Sequence, residues 1–348
     1  MARTNHSLDH RELPPASIIF GQSPLMAIAR EKLTRVADTT IPVLLQGESG
    51  TGKEIFAHLL HTHSSRAKSP WVKVNCPAIP NTLIEAELFG YERGAFTGAY
   101  ATKQGRVEMA HMGTLFLDEV ASLDITVQAK LLQLLQDGSF VRVGGQEARS
   151  VNTRLISAAR GDLRQQTSEG TFRLDFFFRI NAVTIELPTL RQRIVDLPAL
   201  IDYFVEIHSR AFRANPKPLS RELMRLMERY DWPGNIRQLE NMIRSYILIG
   251  SEEILASELV PAASSSVTTE IDLANPVSLK EITRAATQDL ERQIIMKVLQ
   301  ANGWSRLKTA KWLNISYRSL LYKLQDPQVG ALPGKSRQRT AAAPRNQG

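Results

Sequence analysis

A single cysteine, Cys76, stands in 348 residues, so no internal disulfide can form and no cysteine cluster can hold a metal. Cys76 reads as a small buried hydrophobe. No run of about 18 or more apolar residues occurs, and the opening MARTNHSLDHRELPPAS has no apolar stretch fit for a signal sequence. A membrane protein is excluded and a cytoplasmic location is expected. Internal repeats are also absent. Acidic residues are missing from one place in particular. Between Gly303 and Gln325 stand Arg306, Lys308, Lys311, Arg318 and Lys323 with no Asp or Glu, and the stretch after Pro327 adds Lys335, Arg337, Arg339 and Arg345. The chain-wide balance of 43 Lys and Arg against 35 Asp and Glu, a net +8, is thus concentrated at the C-terminal end, where a nucleic-acid footprint is expected. An apolar content of 43% can fill a sizeable core, and the length suits about two domains.

From Ser17 to about Gly250, short β-rich runs (IPVLLQ, WVKVN, GTLFLDE, VNTRLISAA, NAVTIELP) alternate with longer amphipathic stretches, which predicts an α/β sheet with helices on its faces. From about residue 190 to 250 the expectation is a small helical subdomain, since LMRLMERY and IRQLENMIRSYILI carry only helical periodicity and are separated by Trp232-Pro233-Gly234-Asn235. Residues 251–278, poor in large apolar side chains and rich in Ser, Ala, Thr and Pro, read as a linker. Residues 279–326 read as a second, all-α domain, and 327–348 as a disordered basic tail.

Directly after IPVLLQ comes Gly47-Glu48-Ser49-Gly50-Thr51-Gly52-Lys53-Glu54, opening a helix that continues IFAHLLH. Three glycines let successive backbone N–H groups curl around a polyphosphate, the helix start adds donors, and Lys53 reaches the outer phosphates as a point charge. Nucleotide binding follows. Glu54 stands where a Ser or Thr usually touches Mg²⁺, so the metal must be held by another carboxylate or through waters. Asp118 is that carboxylate. It ends the strand-like run GTLFLDE, and Glu119 beside it would polarise the attacking water, which makes the reaction NTP hydrolysis. His58, His61 and His63 read as a solvated helix face.

GESGTGKE, GTLFLDE and, between them, ELFGYERGAFTGA together resemble one family: the AAA+ transcriptional activators of sigma-54 RNA polymerase, also called bacterial enhancer-binding proteins. The resemblance runs from about Ser17 to Gln325 and implies an AAA+ P-loop NTPase over 17–250 with a helical lid, using ATP and Mg²⁺. It also implies that Gly94, Ala95, Phe96, Thr97, Gly98 and Ala99 form a loop tip that touches the sigma factor, with Phe96 and Thr97 in contact. Asn75, in VKVNCPA, matches the asparagine that pairs with the catalytic glutamate, here Glu119. By itself it would more often be a turn residue. Arg173 and Arg179 match arginines that reach the neighbouring subunit's nucleotide, which requires a ring oligomer, expected to be a hexamer. From the residues alone they would more often be surface ion-pair formers, so the role rests on the resemblance. Arg237 resembles the second sensor arginine of the lid. The family strand RIIAAT ends in Thr followed by Asn or His, but here Arg154-Leu155-Ile156-Ser157-Ala158-Ala159-Arg160 offers a side chain that cannot donate and then a charge. Polar sensing at that position is altered, and what this does to hydrolysis and its coupling to the loop is not fixed by the sequence.

Leu307 to Leu313 and Tyr317 to Gln325 have helical spacing around Asn314-Ile315-Ser316, a helix-turn-helix pattern similar to the Fis-type domain that closes this family. Ser316, Tyr317, Arg318 and Ser319 are expected at base edges of double-stranded enhancer DNA, and Lys308, Lys311, Tyr322 and Lys323 at phosphates. The implied function is an ATP-hydrolysing activator that remodels the closed sigma-54 polymerase complex. The alternative is a DNA-binding regulator that binds ATP with little productive hydrolysis. Since the resemblance begins near Ser17, a folded sensor before it is not expected. Control would then lie in abundance or in a protein acting in trans.

Overall fold

Strands buried on both faces must be largely apolar at successive positions, and the computed structural model places three of the five β-rich runs, VLLQ, TLFLD and RLISAA, in such an environment, with WVKVN and VTIE at the two edges of the sheet. It describes residues 13–259 and, in a second compact unit, 295, 298–299, 305–313 and 315–324. β1 (Val43–Gln46), β2 (Trp71–Asn75), β5 (Thr114–Asp118), β8 (Arg154–Ala159) and β9 (Val183–Glu186) form one parallel sheet in the order β2-β5-β8-β1-β9. Two short antiparallel pairs stand apart: β3 (Gly90–Tyr91) with β4 (Lys103–Gln104), and β6 (Ser139–Val141) with β7 (Ala148–Ser150).

The period of two divides each strand between two cores. Leu44, Leu115, Leu117 and Leu155 pack on the face covered by α4 (Asn81–Phe89), α6 (Ile125–Asp137) and α8 (Leu174–Ile180). Val43, Leu45, Phe116, Ile156 and Ile185 pack on the opposite face, under α2 (Pro24–Val36) and α3 (Lys53–Thr62). Arg154, at the start of β8, is fully buried and donates to the carbonyls of Val36 (2.8 Å), Ala37 (2.5 Å) and Leu60 (3.1 Å). It thereby satisfies orphan carbonyls at the ends of α2 and α3 and pins the helix that follows the glycine-rich loop. Burial pulls its guanidinium down to about 10.

The lid consists of α9 (Leu197–Phe212), α10 (Arg221–Arg229), α11 (Asn235–Ile249) and α12 (Glu252–Leu259) around Trp232, whose indole N–H donates to the Met227 carbonyl at 2.8 Å. This corrects the expected linker boundary at 251, because Leu255 and Leu259 of α12 are buried in the lid core. Their spacing of four is one turn of apolar face, too short a pattern to stand out beside the Ser- and Ala-rich sequence after it. The rest of that stretch, the expected helix from Leu279 apart from residues 295, 298 and 299, and the expected tail at 327–348 lie outside the described residues. His61 also departs from expectation. It is buried, its Nδ1 lies 2.9 Å from Thr114 Oγ1, and its ring stands 5.2 Å from that of Trp71. Burial holds its pKa down to about 4, so it is a neutral core side chain, while His58 stacks on Trp71 beside it. Among the described residues no helix is long and apolar enough to cross a membrane.

In the second unit, helices Arg306–Trp312 and Tyr317–Leu324 enclose a small core of Ile295, Leu299, Ala310 and Leu320. The Ser316 hydroxyl accepts the Ser319 N–H at 3.0 Å and so caps the second helix.

Candidate functional site

Parallel pairing carries the C-terminal ends of β1, β5 and β8 to one edge, the place where open α/β sheets bind ligands. Gln46 lies opposite Ala159, and the Gly47 N–H donates to the Ala159 carbonyl at 3.3 Å. The loop then turns through Gly50, at φ +80°, where an added Cβ would stand 2.3 Å from the Gly234 oxygen. Gly52, at φ +100°, caps α3 with no atom within 4 Å of where its Cβ would be. The one glycine is needed for close approach of the lid, the other for a left-handed turn that leaves the helix N-terminus open. Lys53 is 6% exposed and donates from Nζ to the carbonyls of Gly47 (2.7 Å) and Glu48 (3.0 Å). Burial lowers its pKa, and the nearby charges of Glu119 and Asp118 oppose that shift.

Asp118 ends β5 in register with Asn75 on β2. Burial, then the adjacent Glu119, raises the Asp118 pKa. Glu119 itself adopts φ +59° and ψ +52°, a left-handed conformation that costs a non-glycine residue about 1–3 kcal/mol and is usually held only where the surroundings demand it. Its Oε1 accepts the Arg160 Nε–H at 2.7 Å. The expected Asn75–Glu119 pair is therefore not the one formed. Asn75 is exposed, and a guanidinium carries a full charge to the carboxylate where an amide offers only a dipole. Glu54 pairs with Lys73 of β2 at 2.5 Å, so its carboxylate is committed to a cation. Among the described residues no three His, Cys, Asp or Glu side chains gather to bind a metal. Asp118, half-buried and facing the phosphate loop's lysine, fits a magnesium ion that takes one carboxylate and completes its shell with phosphate oxygens and water.

Four residues, Arg191 on the turn that leads into the lid and three at the start of α11, hydrogen-bond to the loop. Arg191 donates to both oxygens of Glu48 (2.5 and 3.2 Å). Asn235 Nδ2 donates to Glu48 Oε2 (3.1 Å) and the Ser49 carbonyl (3.0 Å), while its Oδ1 accepts the Leu190 N–H at 2.8 Å. The Ile236 N–H donates to the Gly50 carbonyl and Arg237 Nη1 to Ser49 Oγ, each at 3.0 Å. Arg191, then Asn235, holds the Glu48 carboxyl below its ordinary range. Sequence reasoning named Arg237 and missed Arg191 and Asn235. The available signal was Trp-Pro-Gly-Asn itself, read there only as a helix break, whose asparagine is fully buried at φ +50°. Thr51 is also buried, its hydroxyl donating to the Glu48 carbonyl at 2.9 Å.

Gly94 to Ala99 form a tight hairpin closed by the Gly94 N–H donating to the Ala99 carbonyl at 2.9 Å. Gly98 takes φ +109°, Thr97 is exposed, and Phe96, 39% exposed, leans edge-on against Tyr91 with centroids 5.0 Å apart. The next residue after the hairpin, Tyr100, is 89% exposed and went unremarked in the sequence. The turn between β6 and β7 packs on the hairpin base, where a Cβ on Gly144 would stand 2.7 Å from that of Ala95. Arg142 joins Glu108 through two bonds of 2.7 Å and Glu92 through one of 3.0 Å, locking the two loops together. Away from the phosphate loop, Arg173 pairs with Asp175 (2.6 and 3.0 Å), and Arg179 donates to the Leu135 carbonyl at 2.5 Å. In the second unit Lys308, Lys311, Tyr317 and Arg318 are exposed and Ser319 half-buried. Ser316 has its hydroxyl committed to the helix cap, and the side chains of Tyr322 and Lys323 lie outside the described set.

Comparison with known proteins matches residues 19–186 to the sigma-54 interaction domain, 191–274 to the AAA+ ATPase lid domain and 287–326 to the bacterial regulatory protein, Fis family. Regulatory protein AtoC of Escherichia coli is 40% identical over 311 residues, covering 88% of this chain and 67% of that protein. The Nif-specific regulatory protein of Azotobacter vinelandii is 36% identical over 312 residues, covering 89% of this chain and 58% of that protein. Among solved structures, NtrX from Brucella abortus in complex with ATP superposes with a TM-score of 0.64 at 31% identity, over 89% of this chain and 69% of that one.

Proposed function

The chain belongs to the sigma-54-dependent transcriptional activators, ATP-hydrolysing AAA+ proteins with a Fis-type DNA-binding domain, and from that premise we propose how its residues divide the work. The Gly47–Gly52 loop and Lys53 hold the ATP phosphates. Asp118 holds Mg²⁺, which when bound supplies charge to the phosphate oxygens. Glu119 polarises the attacking water. Glu48 and Ser49 pass the state of the phosphate site to the lid through their contacts with Arg191, Asn235 and Arg237. Arg173 and Arg179 act on the neighbouring subunit's nucleotide within a hexameric ring. The hairpin carrying Phe96 and Thr97 engages sigma-54, so that hydrolysis remodels the closed polymerase complex. Helix Tyr317–Leu324 reads enhancer DNA through Tyr317, Arg318 and Ser319, while Lys308 and Lys311 contact its phosphates. The setting is the cytoplasm. A regulatory protein acting in trans belongs to the proposal, motivated by the altered strand end at Ala159 and Arg160.

The observation that carries this reading is convergence. Lys53, after β1, and the adjacent pair Asp118-Glu119, after β5, come from two separate stretches of chain, yet the sheet order brings them to one edge on either side of β8, and the charges of both carboxylates oppose the burial that lowers the Lys53 pKa. The test is open-complex formation in vitro with purified sigma-54 polymerase. Promoter opening is expected with ATP and not with a non-hydrolysable analogue, and opening that ignores hydrolysis would sink the mechanism.

The ring arrangement makes its own prediction. Arg173→Ala and Lys53→Ala proteins, each inactive alone, should recover part of the ATPase when mixed, because a mixed ring can join an intact pocket to an intact finger. An arginine finger is worth about 10³–10⁵ in rate, so recovery would be visible above either parent. Proven mixed rings without recovery would count against a role in trans.

DNA binding by the full chain should weaken steeply with salt, and Lys308→Ala should reduce the slope of log K against log salt by about one. A slope unchanged by the substitution would remove Lys308 from the phosphate contacts.

A further inference from the structure

Arg160 is the first residue beyond β8, and the sheet order sets it between the phosphate loop after β1 and the Asp118-Glu119 pair after β5. Its side chain is 61% exposed and that of Glu119 is 15% exposed, so the carboxylate is the sheltered partner and the guanidinium the exposed one. Only Nε is engaged, on Glu119 Oε1 at 2.7 Å. Neither Nη group makes a protein hydrogen bond among the described residues. Arg160 also acts on the phosphate-binding lysine, since its charge is among those that lower the Lys53 pKa. Two cations thus face one locus, and one of them is tied to the catalytic carboxylate.

We propose that Glu119 and the γ-phosphate of bound ATP compete for the Arg160 guanidinium, so that Arg160 is a positioning residue that withholds Glu119 until a triphosphate draws it away. A terminal phosphate offers three acceptor oxygens and more charge than a carboxylate, and a planar guanidinium can meet two of those oxygens at once. A carboxylate neutralised by a guanidinium is a poor acceptor for a proton of water. Release of Arg160 to the phosphate frees that acceptor, at the moment when a reacting phosphorus is present. A neutral asparagine could orient Glu119 but would not create this contest. Of the two partners the Glu119 carboxylate is the more sheltered, and the exposed guanidinium is the one with room to turn toward a phosphate.

The consequence for turnover rests on the reading of Glu119 as the water-polarising group, but the competition itself is a matter of binding and is tested without hydrolysis. The full chain, with the variants Arg160→Ala, Glu119→Gln and the double variant, would be titrated with ADP and with the non-hydrolysable imidotriphosphate analogue of ATP. Glu119→Gln removes the competing charge, so it should tighten the triphosphate relative to ADP by about fivefold, the size expected for a partly exposed charge pair. In the Arg160→Ala background the same change should give no such gain. Arg160→Lys should restore part of it. An equal gain with and without Arg160 would mean simple relief of repulsion between Glu119 and the phosphate, and would overturn the proposal. So would no gain in either background. Retained ATPase in Glu119→Gln would defeat the catalytic assignment of Glu119 while leaving the outcome of the binding cycle readable.

Discussion

Glu119→Gln should bind ATP at least as tightly as the parent and turn it over about 10²–10⁴ times more slowly, whereas Lys53→Ala should lose ATP binding itself. The two losses differ because the two groups meet different parts of the reaction. Glutamine keeps the size of Glu119 and can still hydrogen-bond, but it cannot accept a proton, and a positioned base contributes about that factor. Lys53 is buried, and its ammonium faces the phosphate loop, so its removal leaves the phosphates without their cation in a sheltered site. Truncating one partner of a buried charge pair costs about 2–5 kcal/mol, or roughly 30-fold to several thousandfold in affinity. Nucleotide titration and steady-state ATPase, measured side by side, separate the two effects. Equal turnover in parent and Glu119→Gln would remove Glu119 from the chemistry.

Phe96→Ala should leave ATPase activity and DNA binding within about twofold and reduce open-complex formation about 30-fold, the effect of losing one interfacial anchor of about 2 kcal/mol. The hairpin closes on its own hydrogen bond and is joined to the body through Glu92 and Arg142, so the phosphate edge of the sheet does not depend on the Phe96 ring. Tyr100→Ala is the informative comparison. Tyr100 is more exposed than Phe96 but stands outside the closed turn, and among the described residues it has no ring neighbour comparable to Tyr91. If Phe96 is the anchor, Tyr100→Ala should cost much less. A larger loss from Tyr100→Ala would move the sigma-54 contact one step along the chain.

The sequence by itself determined the parts of this protein that are written locally. Apolar runs announced the inner strands β1, β5 and β8, because a strand covered on both faces needs mostly nonpolar residues at successive positions, and β-rich alternation announced the edge strands β2 and β9. Gly47 to Lys53 announced the phosphate loop, because the glycines, the lysine and the helix start occupy adjacent positions in one segment. Asp118-Glu119 and the Gly94–Ala99 hairpin were legible for the same reason, as was the basic helix pair near the C-terminus. The tertiary structure alone decided the contacts between segments far apart in the chain. Arg160 meets Glu119 because β8 lies beside β5, and Arg191 meets Glu48 across 143 positions because the lid folds back onto the loop. His61, on α3, is neutral and buried because Trp71 of β2 and Thr114 of β5 come to it, and α12 belongs to the lid because Leu255 and Leu259 find a core there. Such pairings depend on strand order and helix docking, which no local spacing encodes. Arg160 was therefore visible in the sequence as an oddity and became the partner of Glu119 only in the fold.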